Sequence, residues 1–450
     1  MKITFLGAAG TVTGSSYILT SGSGQSIVID LGMFQGLPEI DELNYKPYNY
    51  DASKLSGGLL THAHLDHCGR LPILLQGGFN APIWMTAPTR DLAELSLLDT
   101  ARIATQDRKP ILFDKAQAQK MVGYFKTTSY RQPFTIADFR VTFRDAGHLM
   151  GAASLEIEDL ASNTQTRKII FSGDLGNSPE ELLHNLEYLE SADVVVMEST
   201  YGDRLHPKED PVAILQREIN TIEQTNATLL IPSFALERTQ ELLHMIMHMK
   251  RDGRIAAATP IYLDSPMADH ATHIYTQHIN MFNPHVAQEV SNGSAFQFEG
   301  LDVLKKRDES RAVQQRAGEA KVILAGSGMM VGGRIVGHAA HYLPMSTTRL
   351  LIVGYQGEGT LGRKLLEGEK EVEIEGQTVT VNATVSSTQA LSSHADQGQL
   401  MEWLSHIKGV QKVILTHGED GPRSALSARI QQELGIGDIL MPHLHEELVV

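Results

Sequence analysis

The chain has 450 residues, 42% of them hydrophobic and 20% charged, with a formal net charge of −15 and one cysteine, Cys68. This composition describes a soluble globular protein too long for one ordinary core, so two domains are expected. The acidic balance argues against wholesale coating of nucleic acid, a lone cysteine excludes an internal disulfide, and no stretch approaches the roughly 20 apolar residues of a membrane span.

Met1 to Gly7 carries one charge and an apolar run too short for a signal segment, so it reads as a first strand, and a cytoplasmic location is expected. Residues 2–31 alternate in the manner of strands, punctuated by Gly7 to Gly10, Gly14 and Ser21-Gly22-Ser23-Gly24. The third of these strands, Ser26 to Leu31, delivers Asp30 at its end. An apolar pair, Leu59-Leu60, then leads into His62-Ala63-His64-Leu65-Asp66-His67. In extended backbone, side chains two apart project to the same side, so His62, His64 and Asp66 converge, and His67 joins them if the chain turns into a helix there. Imidazole nitrogen and carboxylate oxygen together suit zinc. Cys68 reads as a buried neighbour of this cluster, not a ligand.

Asp91 to Ala104 and Lys115 to Phe125 read as helices. Two hairpin strands, Phe139 to Arg144 and Ala152 to Glu158, bracket Ala146-Gly147-His148. Lys168 to Phe171 runs into Ser172-Gly173-Asp174, Asp193 to Met197 ends at Glu198-Ser199-Thr200-Tyr201, and Lys412 to Leu415 leads into Thr416-His417-Gly418. Each repeats one pattern: an apolar strand, a small residue, then a His, Asp or Glu. Carboxyl ends of strands share a rim in such sheets, so these residues are expected on one edge.

Between 206 and 384 strands (Thr228 to Ile231, Pro260 to Leu263, Lys321 to Ala325, Arg349 to Gly354) alternate with helices such as Glu237 to Lys250 and Ala268 to His278. That alternation reads as a parallel doubly wound sheet inserted into the first domain. Ser291 to Arg316 is polar and without clear pattern, and the acidic run Glu367 to Glu375 reads as a solvated hairpin. His244 and His248 are four apart on a helix, but with Met-rich neighbours and no third ligand they read as core or surface histidines. Ser233, Ser265 and the loop of Ser327 and Gly328 follow strands and precede helices, where free N–H groups can receive phosphates, and Arg238, Arg334 and Arg363 could add bidentate contacts.

Taken together, His62-x-His64-x-Asp66-His67, His148, Asp174 and His417 resemble the successive ligand motifs of the metallo-β-lactamase fold, and Asp30 its preceding aspartate motif. Glu198, His394 in Leu391-Ser392-Ser393-His394-Ala395-Asp396, and His417 resemble the A, B and C motifs of the β-CASP subgroup, which processes nucleic acids. The inserted region resembles the β-CASP cap. The resemblance implies an αββα sandwich in two parts, 1–205 and 385–450, with the cap at 206–384. His394 favours RNA, since DNA-directed members typically lack that histidine.

The resemblance further implies a ribonuclease with two Zn2+ in a cleft between the domains. His62, His64 and His148 would hold one, Asp66, His67 and His417 the other, and Asp174 would bridge them. His394 would protonate the departing 3′ oxygen, with Glu198 on its other nitrogen and Asp30 orienting a ligand; Asp66 counts with this catalytic set as well. The partners implied are RNA, single-stranded, and further copies of the chain, with no membrane. Two alternatives stay open: a zinc hydrolase of a small thioester or phosphoester, and an RNA-binding scaffold with structural zinc.

Overall fold

The alternating opening residues form an antiparallel meander of Lys2–Phe5, Ser16–Thr20 and Ser26–Leu31 in the computed structural model, which describes residues 1–47, 50–106, 110–161, 168–178, 181–316 and 318–450. Leu55–Leu59, Ile83–Thr86 and Phe125–Thr128 add in parallel on one side, and Glu447–Val449 pairs antiparallel with Lys2–Phe5 on the other, giving seven strands. A second seven-stranded sheet runs Asp438–Leu440, Lys412–Leu415, Val194–Met197, Lys168–Phe171, Ala153–Asp159, Phe139–Asp145 and Phe134–Ile136. Alternate residues of both sheets, among them Phe5, Leu19, Ile29, Phe143, Leu155 and Phe171, meet in one core. Helices pack on the sheets, as Ala87–Gln106 does on Ile83–Thr86 and Phe125–Thr128, which is the αββα layering expected.

Local chemistry sets the element limits. Ala87–Gln106 starts earlier than the apolar spacing indicates, because Pro88 is tolerated in a first turn where its missing N–H is not needed. The next helix, Lys115–Val122, is opened by an Asp114–Gln117 capping box and stops at Gly123. Phe125, expected in that helix, instead begins an edge strand and is buried.

Two compact units partition the chain: Met1–Leu205 with His394–Val450, and His206–Ser393. The second is built on six parallel strands in the order Leu301–Val303, Ile261–Asp264, Lys321–Ala325, Thr228–Pro232, Arg349–Ile352 and Thr384–Ser387. Its last strand pairs with Arg349–Ile352, which carries the unit on to Ser393, beyond residue 384. The patternless stretch contributes Leu301–Val303 and the helix Arg307–Gln314. The acidic run forms a hairpin, Glu371–Ile374 with Gln377–Thr380, that buries Val372, Ile374 and Val379 while its glutamates face water. Among the described residues no helix is long and apolar enough to cross a membrane.

Candidate metal centre

Strand Leu55–Leu59 delivers the histidine-rich segment. The chain stays extended to His64, then Leu65–Cys68 forms one helical turn, with Cys68 N–H donating to His64 O at 2.9 Å. The turn carries Asp66 and His67 back beside His62. His148 follows Phe139–Asp145, Asp174 follows Lys168–Phe171, and His417 follows Lys412–Leu415, so strand ends of the second sheet supply the rest, facing the segment that the first sheet delivers.

The side chains gather in two groups. His62, His64, His148 and Asp174 offer ligand atoms all within 4.8 Å of one another, and so do Asp66, His67 and His417. Asp174 faces both. Its Oδ2 lies 3.5 Å from His62 Nε2 and 3.7 Å from His148 Nε2, while its Oδ1 lies 3.2 Å from His67 Nε2 and 3.7 Å from His417 Nε2. The first group closes through His148 Nε2 and His64 Nδ1 at 3.1 Å, the second through His417 Nε2 and Asp66 Oδ2 at 3.4 Å.

The charge states of His62, His64, Asp66 and Asp174 fit cation binding, whereas Asp174 and Asp30 hold His67 well above the usual imidazole range against burial. Burial drives His62 well below the usual imidazole range and His64 to about 4, leaving both rings neutral. Burial alone would raise Asp66, but the His417 hydrogen bond and the nearby imidazoles hold it at about 2; His417, His67 and His62 likewise hold Asp174 well down against burial. The Nε2 atoms of His62 and His67 and Asp174 Oδ1 are buried yet have no hydrogen-bond partner among the described residues. Buried polar atoms are almost always satisfied, so orphaned donors of this chemistry converging on common points fit metal ions.

Asp30 sits behind the cluster. Its Oδ1 accepts from Thr61 N–H at 2.7 Å, and its Oδ2 accepts from Thr61 Oγ1 at 2.8 Å and from His67 Nδ1 at 2.7 Å. That bond turns His67 Nε2 toward Asp174. Asp30→Asn is expected to weaken metal affinity about 10–100-fold, the usual effect of losing such an outer partner. Zinc titration of the two proteins checks this, and equal affinities would contradict it. Thr200 Oγ1 plays the same part at His417 Nδ1, 3.0 Å away, a role sequence reasoning missed because a threonine after Glu198-Ser199 has no distinguishing pattern.

His394 Nδ1 lies 3.2 Å from Glu198 Oε1 and 4.0 Å from Asp174 Oδ2. Glu198 is fixed by main-chain donors, Leu175 N–H at 2.7 Å to Oε1 and Thr200 N–H at 3.4 Å to Oε2. The His394 backbone bridges to Gly176, and Ala395 N–H donates to Leu175 O. Burial pulls the His394 pKa down, but Glu198, then Asp174 and Asp66, outweigh it and lift it to about 9. The ring is charged at neutral pH.

Two glycines also missed by sequence reasoning shape the ligand loops. A Cβ on Gly32 would lie 1.5 Å from Asp66 O, and one on Gly176 would lie 1.7 Å from Gly147 O, next to His148. The signal available was only a glycine just after each aspartate-bearing strand end.

The residues expected to contact phosphate in the second unit have partners within the protein. Of the three serines only Ser265 caps a helix directly, accepting from Ala268 N–H at 3.2 Å. Ser233 is bound to Thr239 Oγ1, and its helix begins only at Arg238; Ser327 bonds within its own loop, whose helix begins at Arg334. Gly328 is small because a Cβ would meet the Phe234 ring at 2.5 Å. Arg238 is buried against Glu241 and donates to Ser393 Oγ; Arg334 is committed to Asp264 and to the carbonyls of Leu304 and Lys305. Arg238 is buried and its charge requires such internal partners, while Arg334 is only partly buried. Arg363, more exposed, pairs with Glu367 at 2.6 Å.

Known families match along the chain in order: the metallo-β-lactamase superfamily at residues 9–219, the β-CASP domain at 239–365, and the Zn-dependent metallo-hydrolase RNA specificity domain at 378–442. Fold and site thus define a metal-dependent hydrolase whose metallo-β-lactamase domain is interrupted by a β-CASP insertion. A ribonuclease of Thermus thermophilus is 35% identical over 95% of this chain and 95% of its own length. The transcription termination factor FttA of Thermococcus kodakarensis is 30% identical over 97% of this chain and 69% of its own length, and an RNase J-like protein of Methanocaldococcus jannaschii is 28% identical over 87% of each. A crystal structure of a protein of unknown function from Enterococcus faecalis V583 shares the fold, with a TM-score of 0.54 at 11% identity, covering 100% of this chain and 99% of the other. The chain belongs to the β-CASP family of metallo-β-lactamase-fold RNA nucleases.

Proposed function

We propose that the chain hydrolyses phosphodiester bonds of single-stranded RNA, with His62, His64 and His148 holding one zinc ion, Asp66, His67 and His417 a second, and Asp174 shared between them. The observation that carries this reading is the division of Asp174, one oxygen toward each group of donors. A pair of such ions, when bound, activates water and offsets charge on the attacking and leaving oxygens of the phosphodiester.

The chain's own groups supply the remainder. Breaking the bond leaves a 3′ oxygen that needs a proton, and His394, charged at neutral pH and beside Asp174, can give one from its Nε2. Glu198 holds Nδ1, fixing the ring's orientation and stabilising its charge. Asp30 and Thr200 orient His67 and His417. The single cysteine is buried, which fits work in a reducing cytoplasm.

The test is a time course on end-labelled RNA with and without zinc after chelation. Cleavage restored by zinc supports the reading; a chelated protein that cleaves as fast as the loaded one would overturn it. His394→Ala is expected to slow cleavage about 10²- to 10⁴-fold, the usual contribution of a general acid, while zinc content stays at the parent level. Parent-level cleavage in that variant would remove His394 from the reaction.

A further inference from the structure

A second group of side chains with metal-ligand chemistry lies wholly within the second unit and has no part in the reaction above. His244 and His248 stand one turn apart on Arg238–Arg251, so their rings share a face, with centroids 4.3 Å apart. The third member, invisible at that spot in the sequence, comes from another helix, Pro284–Ser291. Glu289 Oε2 lies 2.8 Å from His244 Nε2 and 3.1 Å from His248 Nε2, and Oε1 lies 3.0 Å from His248 Nε2. The donor atoms of all three lie within 4.8 Å of one another.

We propose that His244, His248 and Glu289 form a separate site for a divalent transition cation of the zinc type, which ties the helix Arg238–Arg251 to the helix Pro284–Ser291. Two imidazoles four apart on a helix plus one carboxylate are a three-ligand set that zinc accepts with a further position for water. Ligands about 2.0–2.2 Å from a tetrahedral ion stand roughly 3.3 Å apart, so Glu289 needs to move from each imidazole by only a few tenths of an ångström. His244 is buried, whereas the side chains of His248 and Glu289 keep 25% and 19% exposure, which leaves a solvent side for the ion and its water. Arg251 Nη1 contacts Glu289 Oε1 at 3.1 Å, leaving Oε2, the oxygen both imidazoles share, to the cation.

The competing arrangement is a metal-free clamp in which both rings donate to Glu289. Zinc content of the full-length chain separates the two. Parent, His248→Ala and Glu289→Gln proteins are saturated with zinc, freed of excess, and assayed for bound metal and for RNA cleavage. Each variant is expected to hold one equivalent less than the parent and to cleave RNA at the parent rate. Equal zinc content in the parent and in a folded variant overturns the proposal and identifies the clamp; Glu289→Gln preserves side-chain shape should His248→Ala fail to fold. Because the readout is a difference between parent and variant, it does not depend on what the main centre binds or does.

Discussion

Replacing Asp174 with Ala is expected to lower RNA cleavage by at least about 100-fold and to lower bound zinc, while the circular dichroism spectrum stays that of the parent. The floor follows from scale: losing an outer partner of a ligand costs about 10–100-fold, and Asp174 is the side chain that both donor groups face. Without it each group keeps three donors, and on the two-metal reading the carboxylate that would offset the repulsion between two dications is gone. The fold survives because Asp174 lies past the end of Lys168–Phe171, whose pairing with Ala153–Asp159 and Val194–Met197 is set by backbone and apolar contacts. Asp174→Asn keeps the shape and removes the charge, so loss in both variants assigns the effect to charge, and loss in Ala alone to packing. Parent-level cleavage in Asp174→Ala would sink the two-metal reading.

The metal centre was legible because its chemistry is dense. Three imidazoles and a carboxylate in six positions have few other uses, and the strand-then-small-residue pattern put Asp174, Glu198 and His417 at strand ends. The second unit's parallel sheet was readable from its apolar runs, since strands buried on both faces show no alternation. The closing strand Glu447–Val449 was not, because three residues with an exposed valine carry no period, and only the waiting edge of Lys2–Phe5 makes them a strand. The protein partners of Arg238 and Arg334 were illegible for a related reason. An arginine at a helix start looks alike whether it meets a phosphate or a carboxylate, and Asp264, 70 residues before Arg334, has no sequence mark as its partner. Glu289 was hidden in the same way from His244 and His248. Contacts between helices brought together only by the sheet's winding leave no local trace.

Gly32→Ala is expected to lose at least about 100-fold in cleavage although Gly32 touches no substrate and carries no ligand atom. Gly32 follows Ser26–Leu31 and lies against the turn Leu65–Cys68: its N–H donates to Ser15 O at 2.9 Å, Met33 N–H donates to Leu65 O at 2.8 Å, and the Arg70 side chain donates to Gly32 O. A Cβ there would sit 1.5 Å from Asp66 O, 2.0 Å from Asp66 C and 2.7 Å from His67 N, all backbone atoms that no rotamer change can move. The turn itself must shift, and with it Asp66 and His67. A misplacement of about 1 Å in such a site costs about 10²-fold, on top of about 1–3 kcal/mol of stability from overpacking. Gly337→Ala is the control, since Gly337 lies within the helix Arg334–Tyr342 with nothing within 4 Å of the added carbon, and it should gain about 0.4–1 kcal/mol. Cleavage rate, zinc content and melting temperature of both variants decide the matter. Parent-like cleavage and zinc content in Gly32→Ala would mean that the ligand turn yields without consequence, and that its close backing by Gly32 does not set the position of Asp66 and His67.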